Sequence, residues 1–386
     1  MLRTATSKRA QAGFSIVELM VGTVVAMLAI LVIFNAFAMF EGQKRSTSTT
    51  NDVQATGMLA LQALERDMRM AGYGMTVNNQ IIANTLACQS MTIYQSSAAV
   101  SIPFMPISIT DGGTSAQNSD SITALYSTSA FGGTPAMLSS TIATSSADPT
   151  VSNTAGTALF NNGDYFLIAQ PLASPVKPCV RMRVTGTTNL GASISLQHAT
   201  SDPANPPSAT NILPAGGFDD AAASPAVVIN MGGMPRPQYT VSSGSLTYQD
   251  LNAGTAAVTL ASGVVALKAQ YGISDVATAN SQAVTQWVEA TSNAAGAWNA
   301  PTAAMIPKIK AVRVAIVVRS ALLEKDNVTG TCVNNAGTNN GPCAWSDTAT
   351  NKAPLIDLSG DANWQRYRYR VFETIIPLRN VIWGNV

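Results

Sequence analysis

Residues 13–40 read GFSIVELMVGTVVAMLAILVIFNAFAMF, and this stretch decides what kind of chain it belongs to. Its only charge is Glu18, and from Leu19 to Phe40 there are 22 uncharged residues in a row. As an α-helix rising 1.5 Å per residue, that run covers roughly 33 Å, the thickness of a bilayer's hydrocarbon core. Ahead of it, residues 1–13 carry Arg3, Lys8 and Arg9 and no acid. A basic flank of this kind holds the start of the chain in the cytoplasm and places the residues beyond Phe40 on the far side of the membrane.

Three readings of the segment compete. A plain secretory signal peptide has a basic start and an apolar middle, and Ala36-Phe37-Ala38 offers it a small-residue cleavage site. A simple membrane anchor needs only the apolar run, with Glu18 near the cytoplasmic interface. Glu18 argues against the signal peptide, because a carboxylate deep in the apolar stretch costs about 2.5–3.5 kcal/mol on insertion scales and a signal peptide gains nothing from it; in the anchor it is partly solvated and the reading stays open. The third reading gives that acid a task.

Gly13-Phe14-Ser15-Ile16-Val17-Glu18-Leu19-Met20 resembles the cleavage and methylation motif of type IV prepilins and type II secretion pseudopilins. The resemblance implies that a prepilin peptidase cuts between Gly13 and Phe14 and that the new amine of Phe14 is methylated. Glu18 then becomes the fifth residue of the mature helix. In a filament core an unpaired carboxylate is costly, and the family solution is to pair it with the N-terminal amine of a neighbouring subunit. Glu18 is therefore expected to be the subunit-docking residue.

Beyond Phe40 the pattern turns amphipathic, with Leu61, Leu64, Met68 and Ala71 at helical spacing and Gly72-Tyr73-Gly74 as a stop. No proline precedes Pro103, so one helix from Phe14 to about Ala71 is permitted. Gly42 and the Ser/Thr run 46–50 leave open a break into two helices near residues 46–52. The expected division is a basic leader over 1–13, a transmembrane and filament-core helix over 14–72, and an exported β-rich domain over 73–386.

That domain reads as short strands and long loops over 76–240, with runs such as Tyr165-Phe166-Leu167-Ile168 and Val227-Val228-Ile229. Further on, Val265, Leu267, Ala269 and Tyr271 alternate with Lys268 and Gln270. Val312, Val314, Ile316 and Val318 alternate with a face bearing Arg313 and Arg319. Both segments read as half-buried strands with one solvated face. Tyr367, Tyr369 and Val371 alternate with Arg366, Arg368 and Arg370, a face suited to solvent, to another subunit or to lipid headgroups. Leu260–Gly272, Ile309–Ser320 and Phe372–Asn380 resemble the C-terminal strands of PilW-type minor pilins. With residues 8–75, the resemblance spans about half of the chain.

Composition narrows the function classes. Lys and Arg number 22 against 21 Asp and Glu, and none of the basic residues falls between Arg69 and Lys177, so there is no basic field for nucleic acid. The four cysteines, Cys88, Cys179, Cys332 and Cys343, form no CxxC motif, and export makes disulfides the default. Cys332 and Cys343 flank a short Asn- and Gly-rich loop and are the expected local pair. Cys88 with Cys179 follows by elimination, although three connectivities are formally open.

No catalytic residue, cofactor or metal is assigned. His198 is the only histidine and is expected at the surface or in a loop. There is no G-x-S-x-G elbow and no phosphate-binding G-x-x-x-x-G-K-[ST] loop. Asp111-Gly112-Gly113 and Asp219-Asp220 lack the spacing of a calcium loop. The five tryptophans, all within the last hundred residues, are expected in core or interface packing.

The expected fold is α+β and pilin-like: a long N-terminal helix on a mainly antiparallel sheet domain with long loops. The expected function is that of a PilW-like minor pilin that helps to initiate or cap a type IV pilus. It would sit in the bacterial inner membrane by a single pass, with its C-terminal domain periplasmic, and in the pilus filament or tip. Its partners would be other minor and major pilins, the prepilin peptidase, the inner-membrane assembly platform and a large tip adhesin. A J-type minor pseudopilin of a type II secretion system is the alternative within the class. A membrane-anchored exported adhesin or binding domain is the alternative outside it.

Overall fold

The structure is a computed structural model that describes residues 13, 15–77, 85–113, 118–131, 134–153, 159–221, 223–275, 283–293 and 296–383. The chain divides into two units, residues 1–52 and 53–386. A single helix, Ile16–Met70, supplies most of the first unit and the first element of the second. It is unbroken at residues 46–52. Thr49 donates its hydroxyl to the Arg45 carbonyl, so this side chain is satisfied within the helix rather than competing to open it.

In the second unit, Val53, Ala60, Leu64, Met68 and Ala71 form one buried stripe at helical spacing. Gly57 lies in the same stripe, where the ring of Phe372 occupies the space a Cβ would need. A glycine here weakens the helix by about 1 kcal/mol relative to alanine, which closer packing of the ring offsets. The helix ends at Gly72, whose φ of +81° suits the left-handed closing position, while its N–H donates to the Leu125 carbonyl. The Asn380 side chain donates to the carbonyls of Met70 and Ala71, so the far end of the chain caps this helix.

The helix stripe packs on two antiparallel sheets. The first has the order Gln286–Val288, Val264–Ile273, Ile309–Arg319, Tyr369–Pro377. Its central register pairs Leu267 with Ile316 and Ala269 with Val314. The second has the order Val258–Ser262, Ser245–Asp250, Pro237–Ser242, Ser121–Ala124, Ile107–Thr110. The two are tied by a buried bond in which the Ile109 N–H donates to the Tyr271 hydroxyl at 2.6 Å.

A carboxylate on the helix is buried against this core. Asp67 accepts from the Tyr239 hydroxyl at 2.8 Å and from Arg66 Nε at 3.2 Å. Burial, with Asp67 beside it, pushes the Tyr239 hydroxyl up, so it stays a neutral donor. Tyr239→Phe is expected to leave a buried carboxylate oxygen short of its partner and to cost about 1–3 kcal/mol, read as a lower urea midpoint at unchanged slope. An unchanged midpoint would show that water or Arg66 replaces the hydroxyl.

The alternating strands are as expected, but their polar faces are not solvated. Lys268, Gln270 and Arg313 are buried. Chain from residues 344–364 lies over this face, with Ala344, Ile356 and Leu358 packing on Ala315 and Val317. The Arg313 guanidinium sits 4.9 Å from the Trp287 ring and 4.3 Å from the Trp345 ring, and donates to Gln270 and to the Lys352 carbonyl. Burial lowers it to about 10, which leaves it charged at neutral pH. Lys268 reaches Asp120 at 3.0 Å and the Gly113 carbonyl at 2.7 Å. A charge on each strand therefore sits between two layers because its partners were supplied from elsewhere in the chain.

The remaining body is a six-stranded sheet in the order Ala98–Pro103, Ser90–Gln95, Cys179–Arg183, Tyr165–Ala169, Val227–Gly232, Pro135–Met137. Its one parallel pair, Cys179–Arg183 beside Ser90–Gln95, carries the Cys88–Cys179 disulfide at its edge. A three-stranded sheet of Gly186–Asn189, Ser193–Gln197 and Thr150–Ser152 closes a second core around Phe166, Ile168 and Phe218. A second disulfide joins Cys332 to Cys343.

Candidate functional site

The helix start carries the chemistry singled out in the sequence. Residues 1–12 and Phe14 lie outside the described residues; Gly13 is described and exposed. Ser15 caps the helix: the Val17 N–H donates to its hydroxyl at 3.3 Å, and the Leu19 N–H donates to its carbonyl at 3.1 Å. Glu18 stands three residues after the cap, an acid in the first turn and the fourth position of a capping-box sequence. A carboxylate there stabilises the helix start by about 0.3–1 kcal/mol through the macrodipole. Deep inside a bilayer the same carboxylate costs about 2.5–3.5 kcal/mol on insertion scales. Capping is therefore too small to account for Glu18 in an apolar surround, and a partner or water must supply the difference.

Following Glu18, the helix displays an apolar surface on every side. Leu19, Leu28, Phe34, Phe37 and Phe40 are all exposed, as are the large aliphatics between them. A helix this apolar and this long is able to cross a membrane by length and composition. A surface of this extent is not left to water in a folded protein and marks contact with lipid or other chains.

Other parts of the chain offer little chemistry by comparison. His198 is buried rather than exposed, packed edge-on to Phe166. Its Nδ1 is 3.0 Å from Asp148 and its Nε2 is 2.7 Å from the Ser145 carbonyl. The second nitrogen therefore meets a backbone oxygen instead of a hydroxyl, and the Ser-His-Asp arrangement that activates a nucleophile is not formed. Among the described residues no group of three or more His, Cys, Asp or Glu side chains comes together as a metal site would require.

Of the arginines near the C-terminal strand, Arg368 is held by Glu324 at 2.8 Å and Arg366 donates to the Glu324 carbonyl, whereas Arg370 is exposed. Sequence reading singled out none of the polar groups that tie the helix to the sheets, namely Asp67, Tyr239 and Asn380. The one local signal was an acid at position 67 within an apolar helical stripe.

Set against known protein families, residues 238–380 match the model of the type IV pilus-assembly protein W family, PilW. The matched span takes in Tyr239, the whole four-stranded sheet, the Cys332–Cys343 loop and Asn380. No curated protein and no solved structure matches the chain.

Proposed function

We propose, on the premise that residues 238–380 are a PilW pilus-assembly module, that this chain is a minor pilin of a type IV pilus. The observation that carries the proposal is the combination of that match with an exposed apolar helix whose first turn holds one acid, Glu18. In this reading residues 1–13 are a leader removed between Gly13 and Phe14, and the amine of Phe14 is methylated. The mature helix holds the protein in the inner membrane until the subunit passes into a filament. Glu18 then pairs with the N-terminal amine of a neighbouring subunit, which fixes axial register and removes the cost of burying either charge unpaired.

As a minor pilin the subunit helps to initiate or cap the filament together with other pilins and the inner-membrane assembly platform. The protein performs no chemistry of its own in this account, and the energy for assembly comes from a separate motor. The domain 73–386 is carried outside the cytoplasm, which agrees with its two disulfides.

Processing is tested on membrane-extracted protein by intact mass and N-terminal analysis. The expected terminus is a methylated Phe14. A terminus at Met39, after Ala36-Phe37-Ala38, would establish the secretory-signal reading instead, and an uncut Met1 would establish the simple anchor.

A further inference from the structure

Between the six-stranded sheet and the loop after Asp250 lies a cleft of about 510 Å³, lined among others by Tyr94, Tyr165, Arg181, Arg183 and Asn252. Its floor holds an unusual charge. Arg181 is only 2% exposed, and its guanidinium is paired with no carboxylate at ion-pair distance among the described residues. Nη1 donates to the Asn252 side-chain carbonyl at 2.8 Å, and Nε finds no hydrogen-bond partner among the described residues. The guanidinium is otherwise supported by the Tyr165 ring, 4.5 Å away.

Further positive charge stands close by. Arg183 stands over the same ring at 5.5 Å, and Arg236 is near enough to act on Arg181 as a like charge. The acids nearby are already engaged: Asp202 lies 3.5 Å from Arg183, and Asp250 accepts the N–H groups of Arg236 and Asn252.

An arginine does not shed its proton to escape burial, and a buried charge is costly unless paired and hydrogen-bonded. One neutral acceptor and one ring do not satisfy a guanidinium that has five N–H donors. The loop that supplies Asn252 is held in place from both sides, by Asn252 Nδ2 donating to the Met234 carbonyl and by Gln95 donating to the Leu251 carbonyl. The cleft is thus a formed feature with a cation at its base and hydroxyl and amide groups around it.

We propose that this cleft is a binding site for an oxyanion, held by Arg181 and Arg183, in a ligand of up to about the size of a small saccharide. The volume falls within the range of small-molecule sites, and the guanidinium N–H groups not already directed at Asn252, Asp202 or the Gly163 carbonyl are donors that carboxylate and phosphate groups accept. A bare phosphate and the carboxylate of an acidic sugar share this chemistry, and the side chains of Tyr94 and Tyr165 line the same cleft beside a hydroxylated body. The site lies outside the PilW-matched residues apart from its Asn252–Gly254 edge. It gives this subunit a recognition role separate from filament assembly.

The test is calorimetric titration of the full chain in detergent with inorganic phosphate, glucuronate and glucose at matched ionic strength. Saturable binding of phosphate or glucuronate is expected, with none of glucose. The tighter of the two anions tells a bare-oxyanion site from an acid-sugar site. Arg183→Gln, at the half-exposed rim, is expected to weaken binding at least tenfold while the folded circular dichroism spectrum is kept, and Arg181→Gln to abolish it. Absence of saturable binding by both anions up to tens of millimolar, glucose binding as tightly as glucuronate, or unchanged affinity in Arg183→Gln would each overturn the proposal.

Discussion

Glu18→Ala is expected to reach the membrane at or above the wild-type level and to fail to enter filaments. The two effects have opposite signs because they arise in different surroundings. During insertion the carboxylate is a burden of up to about 2.5–3.5 kcal/mol, the figure for a charge deep in the apolar layer and smaller at the first helical turn, so its removal favours partitioning. During assembly the account gives the same carboxylate a cationic partner, the amine of an adjoining subunit. Removing one member of a buried pair leaves the other charge uncompensated and costs about 3–5 kcal/mol, two to more than three orders of magnitude in the joining equilibrium.

A cap-only role predicts a different pattern. Loss of about 0.3–1 kcal/mol at a helix start would lower helix stability slightly and leave incorporation intact. The readout is therefore paired: membrane abundance of the variant, and surface piliation in a strain carrying only that allele. Glu18→Asp, which keeps the charge on a shorter stem, is expected to recover part of the loss. Wild-type behaviour of Glu18→Ala in both assays would reduce Glu18 to a capping residue.

The second large effect concerns the disulfides, which close loops of very different length. Cys88 and Cys179 are 91 residues apart and Cys332 and Cys343 are 11 apart. On the chain-entropy account, the first cross-link stabilises by about 4.6 kcal/mol and the second by about 2.8 kcal/mol. Cys88 and Cys179 are also both buried, at the junction of the parallel strand pair and its core. The double variant Cys88→Ala/Cys179→Ala is thus expected to lose more urea stability than Cys332→Ala/Cys343→Ala, by about 2 kcal/mol before any cavity cost is added. Equal losses would show that native-state packing, rather than the unfolded chain, sets the contribution of both bridges.

The N-terminal half of the helix was legible because an unbroken apolar run has few other solutions. Its second half was legible through the spacing of Leu64, Met68 and Ala71, which are buried as that spacing requires. The continuity of the helix through 46–52 was not, since a Ser/Thr run is nearly neutral between helix and turn and local propensity does not decide between them. The strands Val264–Ile273 and Ile309–Arg319 showed in their alternation, but alternation reports polarity and not exposure. Lys268 and Arg313 are inside because Asp120, Trp287 and Trp345 arrive from distant parts of the chain.

His198 lies in a loop, as expected, but inside rather than at the surface. Its burial depends on Asp148 and Ser145, about 50 residues away, with no local periodic signal to announce it. The six-stranded sheet was the least legible region. Its strands are short, its pairing order is non-sequential, and one pair is parallel, so register depends on contacts that no local window contains. In Cys179-Val180-Arg181-Met182-Arg183 a strand carries two arginines among residues that are otherwise buried. That pattern is the local hint of the cleft, and it is ambiguous because strand arginines are ordinarily solvated.

The claim that this chain is a filament subunit is tested most directly by locating its mature form. Pili sheared from the producing cells, separated from membranes and digested for mass spectrometry, are expected to contain peptides of residues 53–386 at far fewer copies than the major pilin. They are also expected to contain the N-terminal peptide that begins at methylated Phe14. Pili of normal abundance free of this protein, with all of it recovered in the membrane fraction, would contradict the account.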